Sequence, residues 1–358
     1  MRLPLSQPAP DINRLCAVIR GEIIPDRPPL IELIIDRDVQ QQIAEQLLGL
    51  PWPDPKGGLE AERIYYRSMA QVWWRMGYDM VRLSGPVSFP TRSRDTEDTA
   101  GSGRRRWDEE NMGMISNWEE FEQYPWPDPE TVDLHQYELL AEELPEGMGL
   151  FICPRSGFFE VPLSNLLGYQ NLCYLLYDDP ELVDAVFQRC GQILYRLYER
   201  CIGLPRVAGF FSGDDMGFRT GPLVGLDHLR RLVLPWHQRV AELAHAHGLL
   251  FLLHSCGQID ALIDDLIDTV GIDGRHSFDD AANPVIDAKK LYGHRTAILG
   301  GLDVHKLATY DEAGVRQLTR LTIDACAPGG RFAIGTGNSV CNYIPMPNYL
   351  AMLETALA

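Results

Sequence analysis

The sequence predicts an α/β protein of the (β/α)8 barrel type, built as one domain over residues 1–358. Three observations predict it. Short β-rich runs alternate with longer segments of helical period. Most of those runs are almost unbroken apolar stretches, as parallel strands buried on both faces require. Eight such runs can be counted, the number that closes a barrel. A doubly wound sheet would also satisfy the first two observations, and the alternation alone does not separate the two folds.

The eight runs are Leu30–Ile35, Met80–Leu83, Gly149–Cys153, Val207–Phe211, Leu249–His254, Gly271–Arg275, Thr296–Leu299 and Arg331–Ile334. The first carries Glu32 among apolar neighbours, and a buried carboxylate is costly unless it is paired. The pentapeptide PWPDP occurs at Pro51–Pro55 and again at Pro125–Pro129. Each copy reads as a rigid helix entry, since Asp caps and Pro fixes φ. After the second run, residues Ser84 to Glu122 form a polar excursion rich in Arg and Gly. Its basic residues Arg92, Arg94 and Arg104–Arg106 stand beside Asp95, Glu97, Asp108 and Glu109, so the plain reading is a solvated, salt-bridged loop. The sharper reading is a cover over the barrel mouth that meets an anionic partner. Asp179-Pro180-Glu181 opens a helix whose apolar stripe runs Leu182, Val186, Ile193, Leu194 and Leu197. A further helix from Leu229 to His247 leads into the Leu249 run.

Charge and cysteine usage narrow the function. The chain has 32 basic and 50 acidic residues, a net charge of −18. So acidic a body repels phosphate backbones, which argues against nucleic-acid binding. The eight cysteines (16, 153, 173, 190, 201, 256, 326 and 341) are too sparse for a disulfide framework. They read as reduced thiols or metal ligands. The N-terminus has no apolar stretch of signal-peptide length, and no run is long enough to span a membrane. A soluble, cytoplasmic protein is the expectation.

The residues with chemistry cluster at strand ends. His254-Ser255-Cys256-Gly257 closes the fifth run, and in a barrel the C-terminal strand ends line the mouth. Residues two apart on an extended segment face the same side, so His254 and Cys256 can grip one ion. Imidazole and thiolate both suit zinc. Cys341, just past the last run, is the best third ligand, and a two-cysteine, one-histidine set leaves a fourth position open. Such a site is electrically neutral and favours a thiol substrate in its thiolate form, which points to alkylation of a thiol more than to hydrolysis. The bland alternative is a buried histidine and an inert cysteine. Asp214 and Asp215 follow the fourth run, as proton acceptor, further zinc ligand or helix cap. Glu32, His276, Asp303 and Asn338 are the candidates for holding substrate.

At these residues the chain resembles the uroporphyrinogen decarboxylase superfamily, and within it the zinc-dependent, corrinoid-linked methyltransferase branch. The resemblance rests on Trp126–Pro129, Asp178-Asp179-Pro180-Glu181, Gly213-Asp214-Asp215, His254-x-Cys256-Gly257, Gly300-Gly301-Leu302-Asp303 and the loop ending in Cys341. It implies a (β/α)8 barrel, zinc on His254, Cys256 and Cys341, and methyl transfer between a corrinoid and a small-molecule thiol or similar nucleophile. No D-x-H-x-x-G corrinoid signature occurs in the chain, so the corrinoid is expected on a separate protein. The superfamily implies a monomer or homodimer. Two alternatives stand beside this reading: tetrapyrrole decarboxylation, and a non-catalytic barrel. The decarboxylase uses an arginine-rich N-terminal segment to grip carboxylates, whereas here Arg27-Pro28-Pro29-Leu30-Ile31-Glu32 presents Glu32. The Cys341 loop also departs from the branch, reading Asn-Ser-Val-Cys-Asn-Tyr instead of a glycine-rich Cys-Gly form.

Overall fold

A computed structural model of the chain describes residues 3–91, 93–97, 104–108 and 113–358. Its strands, in chain order, are β1 Met80–Ser84, β2 Ser93–Glu97, β3 Arg104–Asp108, β4 Gly149–Cys153, β5 Val207–Gly213, β6 Gly217–Phe218, β7 Gly221–Pro222, β8 Leu250–His254, β9 Gly274–His276, β10 Ala297–Leu299 and β11 Phe332–Ala333. Seven of them form one sheet in the order β1-β4-β5-β8-β9-β10-β11. Every pairing in it is parallel, so each crossover carries a helix back to the starting edge. Burial on both faces explains the continuous apolar sequences of β4 and β8, in which every residue is buried.

The expected eighth strand is present only in outline. Leu30–Ile35 meets the end of the sheet through two isolated parallel bridges, Leu30 to Ile334 and Ile35 to Val340. Ile31 N donates to Ile334 O at 2.9 Å, and Val340 N donates to Ile34 O at 2.9 Å. On its other side no ladder joins this segment to β1 among the described residues. The seam is crossed instead by Arg82, whose Nη1 reaches Leu33 O at 3.4 Å. The finding is therefore a seven-stranded parallel sheet with a loosely attached eighth segment, not a fully laddered barrel. Glu32 explains part of this. Its carboxylate turns onto Thr336, accepting from the backbone N at 2.8 Å and from Oγ1 at 2.6 Å, so a side chain does the linking.

Asp179 caps the helix Pro180–Cys201 through Leu182 N at 3.1 Å, and eleven of its residues are buried. The expected helix from Leu229 to His247 is two helices, Leu226–Leu232 and Leu234–Ala246, since Pro235 favours a fresh first turn. The first PWPDP behaves as expected, with Asp54 capping a short turn before the helix Leu59–Arg75. The second makes only an Asp128 turn, and the helix starts later, at His135. In the polar excursion β2 and β3 pair antiparallel. Arg92 and the side chains of Arg94 and Arg104–Arg106 lie outside the described residues. No helix among the described residues is long and apolar enough to cross a membrane.

Candidate metal centre

Strand register builds the site. Gly213 at the end of β5 pairs with His254 at the end of β8, and His254 pairs with His276 at the end of β9. The three ends are therefore level. Two residues further on lie Asp215 and Cys256, which register brings to the same height. Gly257 lets the chain turn away directly after Cys256. Its φ is +79°, and a Cβ there would lie 2.3 Å from the Gly217 backbone.

Three ligand atoms converge: those of Asp215, His254 and Cys256 all lie within 4.8 Å of one another. Cys256 Sγ is 3.3 Å from His254 Nε2, and Asp215 Oδ1 is 3.5 Å from the same nitrogen. A tetrahedral ion with bonds of about 2.0–2.3 Å has ligand-to-ligand edges of about 3.3–3.8 Å. Both distances fit. Oxygen, nitrogen and sulfur donors are also the set zinc accepts.

The neighbours hold these groups in place. His254 Nδ1 is 2.8 Å from His276 Nδ1, which leaves Nε2 for the cluster. Asp215 Oδ1 accepts from Cys256 N at 2.7 Å. Asn338 Nδ2 donates to Cys256 Sγ at 3.2 Å, and Ser339 Oγ fixes the Asn338 oxygen at 3.1 Å. Ser277 follows β9 with φ of 95°, a strained backbone for a non-glycine residue, and its hydroxyl faces the Cys256 thiol. Its carbonyl is held by the buried Arg275, Nη1 to O at 3.0 Å.

Electrostatics favour a cation here. Burial, then His276 and the arginines Arg82 and Arg275, push His254 well below its ordinary value, so its ring is neutral and able to ligate. Burial also takes His276 down to about 3. Burial and Asp215 push the Cys256 thiol up to about 12. Asp215 is raised as well, chiefly by burial. A positive ion between the two acids would reverse both effects, since metal ligation deprotonates a thiol.

The other expected residues are spread around this cluster. Cys341 lines a cavity of about 400 Å³ together with Cys256, Asn338, Asp303 and Tyr343. Its thiol is not among the converging atoms. It lies against the Tyr343 hydroxyl, which is pushed up to about 12 by that contact first and then by burial. Asp303 lines the same cavity, but its carboxylate caps the helix Val304–Thr309 through Lys306 N and braces Asp280 N, both at 3.0 Å. His276 stands behind His254 and is fully buried. Asn338 contacts Cys256. Glu32 lies away from the cluster, with Thr336. Asp214 is fully buried and saturated: Phe159 N and Glu160 N donate to it at 3.0 and 2.9 Å, and His237 Nε2 is 2.6 Å away. Gly157 makes room for it, since a Cβ there would come within 2.0 Å of the carboxyl carbon. Sequence reading missed Glu160 and Arg82. Burial, then Asp214 and Asp215, push Glu160 up to about 8, and nothing in its local sequence signals that. Arg82 did leave a trace, as the one charge inside the run Met80–Leu83.

Comparison with known proteins adds a family. The family model described as "Uroporphyrinogen decarboxylase (URO-D)" matches residues 127–358. A solved "methyltransferase from Methanosarcina mazei" is similar over 97% of this chain and 98% of its own, with a TM-score of 0.68 at 14% identity. At that identity the likeness establishes the fold. A putative vitamin-B12 independent methionine synthase from Listeria monocytogenes aligns at 11% identity over 98% of this chain and 97% of its own, with a TM-score of 0.48. No curated protein matches.

Proposed function

Because the chain belongs to the uroporphyrinogen decarboxylase family, we propose that it is a zinc-dependent methyltransferase that moves a methyl group between a corrinoid on a partner protein and a thiol or similar small nucleophile. The observation that carries this reading is the convergence of Asp215, His254 and Cys256 at the level strand ends. His254 and Cys256 are the proposed ligands, with Asp215 as the third in the observed geometry. Cys341, on the wall of the adjoining cavity, is the alternative third ligand. Zinc, when bound, lowers the pKa of a coordinating thiol so that it is a nucleophile at neutral pH.

The chain's own residues supply the rest. His276 fixes the His254 ring, and Asn338 donates to Cys256 Sγ and tempers its charge. If Cys341 is the third ligand instead, the partly exposed Asp215 is the carboxylate placed to take a proton from an incoming thiol. Asp303 and Asn338 shape the cavity beside Cys256, where the substrate's body would rest.

A decarboxylase reading finds less support. It leaves the Asp215–His254–Cys256 cluster idle. The first segment also offers no cationic grip, because Arg27 donates to the Leu357 carbonyl in the C-terminal helix. The test is a methyl-transfer assay with zinc-loaded protein, free methylcobalamin and a panel of small thiols. Thioether formation that disappears in Cys256→Ala supports the reading. Release of carbon dioxide from a tetrapyrrole carboxylate, unaffected by chelation, would replace it.

A further inference from the structure

Arg275 is almost fully buried, yet among the described residues it pairs with no carboxylate. Its hydrogen bond there runs from Nη1 to the Ser277 carbonyl at 3.0 Å, while Nε and Nη2 are buried without a partner. Surface arginines of the same chain do pair with acids, as Arg67 does with Glu143 and Arg295 with Asp268. A buried charge held by one neutral group is unfavourable for the fold. A local rule broken at such a cost points to a task at that position.

Strand alternation shows what the arginine reaches. His276 faces His254, so its neighbour Arg275 lies on the opposite face of β9. There the guanidinium carbon is 5.3 Å from the centre of the Phe278 ring, and Nη1 holds the Ser277 carbonyl. Arg275 thus clamps the two residues by which the chain leaves β9. Ser277 needs the clamp, because its φ of 95° is a left-handed backbone that a side chain makes unfavourable. The strained turn aims the Ser277 hydroxyl at the Cys256 sulfur. Phe278 N in turn donates to Gly337 O at 2.8 Å. Position 337 has to be glycine, since a Cβ there would lie 1.9 Å from Phe278 O. The next residue, Asn338, is the second donor to Cys256 Sγ, at 3.2 Å. Both donors to the sulfur therefore depend on the segment that Arg275 clamps.

We propose that Arg275 is a positioning residue for the metal centre: by clamping Ser277 and Phe278 it keeps two hydrogen-bond donors on the Cys256 sulfur. A ligating thiolate that accepts two hydrogen bonds gives less charge to its metal, and the metal then draws a proton more strongly from a bound thiol. Arg275 hydrogen-bonds to none of the three converging ligand atoms and acts through the two donors. The inference rests on the metal reading of the cluster and adds the residue that sets its sulfur ligand.

The experiment has two readouts: the sulfur-to-cobalt absorption band of cobalt-loaded protein, and alkylation of Cys256 by iodoacetamide in metal-free protein, followed by peptide mass. A hydrogen bond lowers the energy of a sulfur lone pair, so losing one should move the band to longer wavelength. Ser277→Ala should move it that way, and Arg275→Met should move it at least as far, with cobalt affinity falling about 10- to 100-fold. Arg275→Met added to Ser277→Ala and Asn338→Ala together should move it no further, because the arginine acts through those donors. In metal-free protein Arg275→Met and Ser277→Ala should each slow alkylation about tenfold, since the thiolate loses a donor. Arg275→Gln, too short to reach the carbonyl, serves if Arg275→Met does not fold. A band that stays in place in the folded arginine variant overturns the proposal, as does a shift that adds in full to that of the two donor variants. Wild type that takes up no cobalt removes the metal reading. Alkylation then decides the role of Arg275 alone: slowing in its variant keeps the clamp, and a wild-type rate overturns it.

Discussion

Removing Asp215 or Cys341 separates the two candidate third ligands. The structure places Asp215 Oδ1 3.5 Å from His254 Nε2, while the Cys341 thiol lies outside the converging set. Four-ligand zinc sites are worth about 10–16 kcal/mol, or about 3 kcal/mol per ligand. Asp215→Ala should therefore weaken zinc about 100-fold, at about 1.4 kcal/mol per factor of ten. The loss should be somewhat larger because Asp215 also orders the Cys256 backbone, accepting from its N at 2.7 Å. Cys341→Ala should change affinity less than about threefold. The assay is competition with a chelator of known affinity at pH 7.5, backed by metal content of the purified variants. Cobalt substitution adds an independent readout, since thiolate-to-cobalt absorption scales with the number of sulfur ligands. One thiolate is expected in the protein without substrate. A spectrum of two thiolates, one of them lost in Cys341→Ala, would refute the assignment of Asp215. Unchanged affinity in Asp215→Ala would do the same.

Two further outcomes follow from buried carboxylates. Burial raises Glu32 from its ordinary 4.5 to about 8, against the opposing hydrogen bonds from Thr336. The folded protein therefore holds a proton there that the unfolded chain releases, so this group's contribution is fully present below about pH 4.5 and is lost as pH rises through about 8. At about 1.4 kcal/mol per decade of proton affinity, the loss is on the order of 5 kcal/mol. Glu32→Gln should flatten the fall of urea midpoint between pH 5 and pH 9, and an identical slope in both proteins would count against it. Asp214→Ala strips three partners, Phe159 N, Glu160 N and the fully buried His237. Such a loss destabilises by about 3–5 kcal/mol. Chemical denaturation should show it while zinc affinity per folded molecule stays near wild type, whereas a variant of full stability that merely lacks activity would restore Asp214 to the chemistry.

The parts of this protein legible in sequence are those governed by local rules. β4 was readable to the residue because a strand buried on both faces leaves an unbroken apolar run. The helix at Pro180 was readable because Asp179 caps it by a contact three residues long. His254 and Cys256 were readable as a pair because strand geometry alone sets two residues on one side. The unladdered seam between Leu30–Ile35 and β1 was not, because pairing depends on the opposite edge, and Arg82 replaces backbone contacts there with a side-chain one. Nor was the shape of the second PWPDP. The same five residues cap a turn at Asp54 and at Asp128, and only the chain that follows decides whether a helix starts at once.

The third ligand shows where local rules end. Asp214 and Asp215 are adjacent in the chain, and both follow the same strand. Sequence offers no way to tell which faces His254 and Cys256. The sheet decides it: with Gly213 paired to His254, alternation sends Asp214 outward to His237 and the turn at Gly157, and sends Asp215 inward to the cluster. A slip of one residue between β5 and β8 would exchange the two carboxylates, removing Asp215 from the cluster and leaving His237 unpaired. The Asp214–His237 contact therefore adds stability to the folded register without touching the Asp215–His254–Cys256 cluster itself. For that reason substituting the fully buried Asp214 should cost the fold more stability than substituting Asp215, while zinc affinity should follow Asp215.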